Sequence, residues 1–351
     1  MSTAAIDSPH VSNDFIALKP DWLTLHREEP LEPGLPIVDP HHHLWDHAGN
    51  PYLFPDLLRD LDCGHNIVAT VFVECRAMYR ADGPEEMKSL GETEFVNGIA
   101  AMSASGAYGA TRACAGIVGN VDLRHGARAG ALLEAHMAVA GGRFRGIRRG
   151  SAWHVSGIKA TSADPPPGLL LDAKFRAGFA CLAPLGLCFD AWLVHTQIDE
   201  VIDLARAFPD TSIILDHVGG PLGIGPYVGK RDAVFAEWST AIRELAACRN
   251  VQVKLGGLGM HTIGFDFHAR ERPPTSEQLA LAWKPYIETC IAAFGAERSM
   301  FESNFPVDKG SCSYQVLWNA FKRITAGCSA SEKSALFGGT ANKVYRLGLA
   351  V

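Results

Sequence analysis

Three consecutive histidines, His41-His42-His43, follow the short apolar run PIVDP at residues 36–40. Side chains alternate along a β-strand, so a strand over 36–44 puts His41 and His43 on one face and His42 on the other. Two imidazoles converging on one point supply two of the three or four ligands of a catalytic zinc. A plainer alternative is a polar strand end whose histidines are solvated or hydrogen-bonded. His195 ends the run FDAWLVH and His217 follows IILD, each where an apolar stretch gives way to a loop. A neutral imidazole is both a common metal ligand and a workable general base. One such histidine could be a satisfied core residue, but four at strand ends are better explained by a common ligand. His41, His43, His195 and His217 are therefore the candidate metal ligands.

Other groups could move protons or hold a substrate. Glu74 ends the run VFVE, where burial would raise its pKa toward a useful range; an ion pair with Arg76 or Arg148 competes with that role. His217 and Asp308 are the further candidates for the base. Arg148 and Arg149 alternate, so only one faces inward, and a planar guanidinium at a strand end suits a carboxylate or a developing oxyanion. Trp45, Tyr79, Trp153, His154, Met260 and His261 fall just past strand ends and could line an apolar pocket, or simply pack the loops.

The elements that position these residues are short apolar runs alternating with helical patterns. Strands are expected at 36–44, 67–75, 114–122, 144–149, 188–194, 211–218, 251–256 and 299–305. They are rich in Val, Ile and Phe and short enough to be buried parallel strands. In 197–208 apolar residues recur at helical spacing until Pro209 stops the pattern, and 230–248 and 275–294 read the same way. Eight strands each followed by a helix predict an α/β fold, a (β/α)8 TIM barrel over residues 36–351. Residues 1–35, with Pro20, Pro30 and Pro33, read as an N-terminal arm. The Gly/Pro-rich runs 150–168, 219–229 and 257–274 follow strands, where a barrel keeps its active-site loops.

Composition narrows the class of function. A formal charge of −6 and a sequence pI near 6.2 provide no field to hold nucleic acid or an anionic membrane. There is no signal-peptide pattern and no long apolar span. The nine cysteines are scattered without a CxxC pair, which points to a reducing, cytoplasmic setting rather than a disulfide framework. The expected partner is a small-molecule substrate, with a homodimer the default assembly.

The motifs DPHHHLWD (39–46), GIRRG (146–150), LDHVGGP (215–221) and FESNFPVD (301–308) resemble the amidohydrolase superfamily, in its amidohydrolase-2 branch of lactonases and related decarboxylases. The resemblance spans 36–308. It implies that His41 and His43 are the strand-one ligands or a carbonyl-polarising pair, and that His195 and His217 are the site histidines of strands five and six. Most of the superfamily ends strand eight on an aspartate that binds metal and accepts a proton; Asn304 stands there in this chain. An amide is no base and a weaker ligand, so a residue other than Asn304 would move the proton. Without a bridging residue on strand four, the expectation is one divalent metal, zinc or manganese, or metal-free chemistry. Glu302 shares the face of Asn304 deeper in the barrel, and could otherwise pair with Lys254.

Arg148 matches the arginine with which related lactonases bind a substrate carboxylate. The second arginine of the lactonases for polycarboxylated pyrones is replaced by Gly220, and GGLGM after strand seven lacks one too. The reading that follows is a hydrolase opening a less charged lactone or cyclic ester. The alternative is metal-dependent non-oxidative decarboxylation of an aromatic or unsaturated acid. A third, a catalytically silent binding barrel, has Asn304 as its support.

Overall fold

The computed structural model describes residues 16–47, 49–161 and 163–350. Eight parallel strands run in chain order: β1 (Pro36–His42), β2 (Asn66–Val73), β3 (Arg112–Gly119), β4 (Phe144–Gly150), β5 (Cys188–Trp192), β6 (Ile213–Leu215), β7 (Val251–Leu255) and β8 (Ser299–Phe301). Neighbours in sequence are neighbours in the sheet, as right-handed β-helix-β units require. The first and last strands meet through a parallel bridge between His42 and Phe305. There His43 N donates to Phe305 O at 2.7 Å, and Asn304 N donates to His41 O at 2.9 Å. The predicted TIM barrel is the fold.

Each strand is followed by a helix: α1 (Phe54–Leu61), α2 (Leu90–Ala104), α3 (Ala129–Val139), α4 (Ala173–Phe179), α5 (Ile198–Ala207), α6 (Arg231–Leu245), α7 (Ser276–Phe294) and α8 (Tyr314–Ile324). In α5 the spacing read from the sequence is the packed face, with Ile198, Val201, Ile202, Leu204 and Ala205 buried. A reciprocal cap starts α7: Thr275 Oγ1 accepts from Gln278 N, and Gln278 Oε1 accepts from Thr275 N. Such a cap contributes about 1 kcal/mol.

Two apolar layers result. Val38, Val71, Val73, Val118, Ile214 and Met300 fill the barrel interior, joined by Tyr345 from the C-terminal helical segment. A larger layer, rich in Phe, Leu and Trp, lies between strands and helices. Each fully buried aliphatic or aromatic side chain there is worth roughly 1.5–3 kcal/mol. Residues 16–35 lie along the surface. Trp22 Nε1 donates to Arg270 O (3.0 Å), Leu31 N to Asn319 Oδ1 (2.8 Å) and Lys322 Nζ to Leu31 O (2.8 Å), which straps this stretch over α8 and the loop after β7. The first part of the expected arm, 1–15, lies outside the described residues. Among the described residues no helix is long and apolar enough to cross a membrane.

Candidate active site

The histidine triplet divides as strand alternation demands. His42 turns outward, its Nε2 sharing a hydrogen bond with Thr70 Oγ1 at 2.8 Å. His41 and His43 turn to the mouth, with ring centroids 4.9 Å apart. His43 Nδ1 lies 2.8 Å from Val73 O. A carbonyl can only accept, so the proton sits on Nδ1 and Nε2 keeps its lone pair. Burial, and then the nearby Arg148 guanidinium, push His43 well below the usual imidazole pKa.

The centre of the site is Glu302, just past β8 and fully buried. Its Oε1 accepts from His217 Nδ1 at 2.7 Å and from His217 N at 3.0 Å. Its Oε2 lies 2.8 Å from His41 Nδ1, out of line for a hydrogen bond, and is left without one. Burial raises a carboxyl, but the imidazoles of His217 and His41 outweigh it and hold Glu302 down to about 2. His217 and Val218 both adopt left-handed backbone, with φ of 54° and 48°. That conformation costs a non-glycine residue on the order of 1–3 kcal/mol. Glu302 on the His217 amide and Trp238 Nε1 on Val218 O (2.7 Å) hold the turn in place. The strained turn aims the His217 ring across the barrel.

Gly256 and Gly257 make room for this pair. A Cβ on Gly256 would sit 2.4 Å from Glu302 Cγ, and one on Gly257 would sit 2.5 Å from the His217 ring. Any side chain at either position would displace the dyad.

Below it, Lys254 of β7 is fully buried among acids. Its Nζ donates to Asp190 Oδ2 at 2.6 Å, approaches Asp216 Oδ1 at 3.1 Å, and lies 3.1 Å from His41 Nδ1. Lys254 is therefore partnered by Asp190 and Asp216, not by Glu302 as one sequence reading had it. Burial lowers a lysine's pKa, but these carboxylates more than reverse that. Burial and the Lys254 charge hold His41 well below the usual imidazole pKa. His41 Nε2 faces a second cation, Arg148 Nη1, at 3.2 Å. A neutral imidazole has one acceptor nitrogen, so only one of these cations can donate to it.

Arg148 is the inward member of its pair; Arg149 points toward Asp122. Arg148 Nε donates to Glu74 Oε1 at 2.9 Å, and Nη2 donates to the Glu74 carbonyl. The ion pair with Arg148 that the sequence offered as the alternative to a general-base role for Glu74 is present. The Glu74 carboxylate is engaged by Arg148, and it does not line the cavity. On the far side, Asn304 Nδ2 donates to Asp308 Oδ1 (2.9 Å), and Gly259 N donates to Asp308 Oδ2 (2.8 Å). Burial lifts Asp308 to about 7, but it sits behind Asn304 rather than in the cavity wall.

The cavity itself encloses about 800 Å³, counting its open mouth. His43, Arg148, His217 and Asn304 form its polar floor, with Trp45, Trp192, Met260 and Val307 around them and His261 among the lining residues. Of the expected wall residues, Trp45, Arg148, Met260 and His261 are in place. Three are not. Tyr79 is tied up by Asn120 Nδ2 at 2.8 Å, Trp153 lies at the surface, and His154 pairs with Tyr227 OH at 2.9 Å. His195 also stands apart: its Nδ1 accepts from Leu222 N at 3.3 Å and its ring packs on Tyr227. β5 ends at Trp192, so His195 lies in the following turn, beyond the reach of strand alternation. Trp192 and Ile16 were not anticipated as wall residues. Trp192 shares a strand face with Asp190, which was a usable signal; for Ile16 the sequence offered none.

His41, His217 and Glu302 present ligand atoms within 4.8 Å of one another. Two imidazoles and a carboxylate whose Oε2 is buried without a hydrogen bond fit a divalent metal. His43 and His195 are outside that group.

The amidohydrolase family model matches residues 38–347. The uncharacterized protein y4mH of Sinorhizobium fredii is 37% identical over 89% of this chain and 98% of its own. The L-fucono-1,5-lactonase of Burkholderia multivorans is 26% identical over 88% of this chain and 96% of its own. A crystal structure of a Burkholderia multivorans amidohydrolase with bound zinc superposes with a TM-score of 0.66 at 26% identity, covering 88% of this chain and 99% of that one. The chain belongs to the amidohydrolase family, and it is a hydrolase of the amidohydrolase superfamily.

Proposed function

We propose that the protein opens a lactone or related cyclic ester carrying no more than one negative charge. The observation behind this reading is the His217–Glu302 pair aimed into a cavity that Arg148 also lines. With Nδ1 donating to Glu302, His217 keeps its Nε2 lone pair for a water proton. The buried carboxylate then stabilises the imidazolium that forms, which returns the proton to the ring oxygen as the acyl C–O bond breaks and the ring opens. Arg148 places a guanidinium where charge develops on the carbonyl oxygen, and the Asn304 amide orients the ring. A divalent ion held by His41, His217 and Glu302 would supply Lewis-acid polarisation of the carbonyl and would take up the His217 lone pair, so His217 is the general base of the metal-free site.

Packing supports a substrate of low charge. At Gly220 (φ +56°) a Cβ would lie 2.5 Å from Leu193 O and 3.1 Å from the Trp192 ring, so no second arginine fits there. Arg148 is itself half-neutralised by Glu74. Tryptophan walls suit the apolar face of a hydroxylated ring, and the lactonase-named relative is in keeping with that chemistry. The test is a pH-indicator assay on neutral aldonolactones beside aromatic carboxylic acids. Acid release from a lactone is expected; carbon dioxide release with every lactone left closed would overturn the proposal.

A further inference from the structure

The loop after β7 carries a second cluster. His261, Asp266 and His268 offer ligand atoms that all lie within 4.8 Å of one another. The two rings meet edge to face, with centroids 5.7 Å apart. Among the described residues, no hydrogen bond or ion pair engages either ring nitrogen or the Asp266 carboxylate. Local backbone brings the three together. Asp266 is left-handed (φ 52°) and opens a short turn, Phe267–Ala269, that returns His268 toward His261. The turn is pinned from outside: Lys19 Nζ donates to His268 O (3.2 Å), Trp22 Nε1 to Arg270 O (3.0 Å), and Arg270 lies over the Phe267 ring.

We propose that His261, Asp266 and His268 form a divalent transition-metal site at the rim of the cavity, separate from the His41–His217–Glu302 centre. Two imidazoles and one carboxylate are a borderline-soft set that selects zinc-class ions; calcium and magnesium prefer all-oxygen shells. Ligand bonds of about 2.0–2.2 Å require the three donors to draw together by roughly 1 Å, which side-chain rotation can supply. His261 also lines the main cavity, so an ion here would fix one wall of the substrate site. The residues share no member with the inner group, so the inference stands apart from the hydrolytic reading.

The experiment is zinc titration of chelator-stripped full-length protein against a chromophoric competitor, for the wild type, Asp266→Asn and His268→Gln. Asparagine tolerates left-handed backbone and both positions are at least partly exposed, so the variants should fold; circular dichroism checks this. Each variant is expected to lose one zinc equivalent relative to the wild type, or to bind it at least ~10-fold more weakly, with any zinc held by the inner group unchanged. Wild-type stoichiometry and affinity in both variants, no zinc bound by any of the three, or a loss in only one variant would each overturn the three-ligand site.

Discussion

Glu302→Gln is the sharpest perturbation of the proposed machinery. The carboxylate is fully buried, accepts two hydrogen bonds from His217, and is held near pKa 2 by the imidazoles of His217 and His41. Glutamine keeps the shape and loses the charge. If its carbonyl takes the Oε1 place, the His217 tautomer survives, but the imidazolium formed in the reaction is uncompensated, and an NH₂ faces His41 and Lys254. If the amide is flipped, it donates to Nδ1 and moves the proton to Nε2, abolishing the base. The comparable loss in a serine-protease triad is about 10⁴-fold in kcat, or ~5.4 kcal/mol at 1.36 kcal/mol per decade. We expect a fall of about 10³–10⁴ in kcat with a smaller change in KM, measured on the lactone turned over fastest. Weakening the two charge-assisted hydrogen bonds to His217 should also lower stability, by ~1.5–3 kcal/mol. Kinetics are therefore run well below the Tm, with circular dichroism confirming the fold. A folded variant that keeps more than about a tenth of wild-type kcat would refute the dyad.

Two further outcomes follow from the same geometry. Arg148→Met strands Glu74 in a site where its side chain is 7% exposed, so the Tm should drop and kcat/KM should fall. Adding Glu74→Gln should restore much of the Tm and none of the activity; activity returning with stability would make Arg148 purely structural. Burial holds Asp308 near 7, against an ordinary 3.8, so between about pH 4 and 7 the folded protein carries a proton that the unfolded chain lacks. Stability contributed by this group is thus present at the acid end of that window and lost as pH rises through 7, by up to ~1.4 kcal/mol per pH unit. Asp308→Asn should flatten that slope in urea unfolding at pH 5, 6 and 7; parallel slopes would show that another group is responsible.

The fold was legible because a parallel barrel writes two periods plainly, apolar runs for strands and 3.6-residue spacing for helices. The His41/His43 split was legible for the same reason. What escaped was the choice between partners on distant strands. Arg148 with Glu74, which the sequence offered only as an alternative, and His217 with Glu302, which it did not offer, are 74 and 85 residues apart, and no local pattern chooses one acid over another. Glu74 looked like a base because its carboxylate ends an apolar strand, and the arginine that claims it stands two strands away. His195, Tyr79, Trp153 and His154 lie in turns and loops, where no period governs direction. Gly256 and Gly257 were visible as the start of the GGLGM run after strand seven. Their use, clearing space for the dyad, needed three dimensions.

The hydrogen bonds that join the first strand to the last are made by His41, His43, Asn304 and Phe305 themselves, and Ser303 Oγ reaches His41 O across 262 residues of chain. Two histidines of the candidate site, His41 and His43, therefore sit on the seam of the barrel. Sealing that seam requires the longest closure of any strand pairing among the described residues, and parting it by an ångström would scatter the site while most strand pairs and helices stayed intact. Activity in this protein is thus a gauge of the seam, and under heat or denaturant it should fail before the bulk of the fold does.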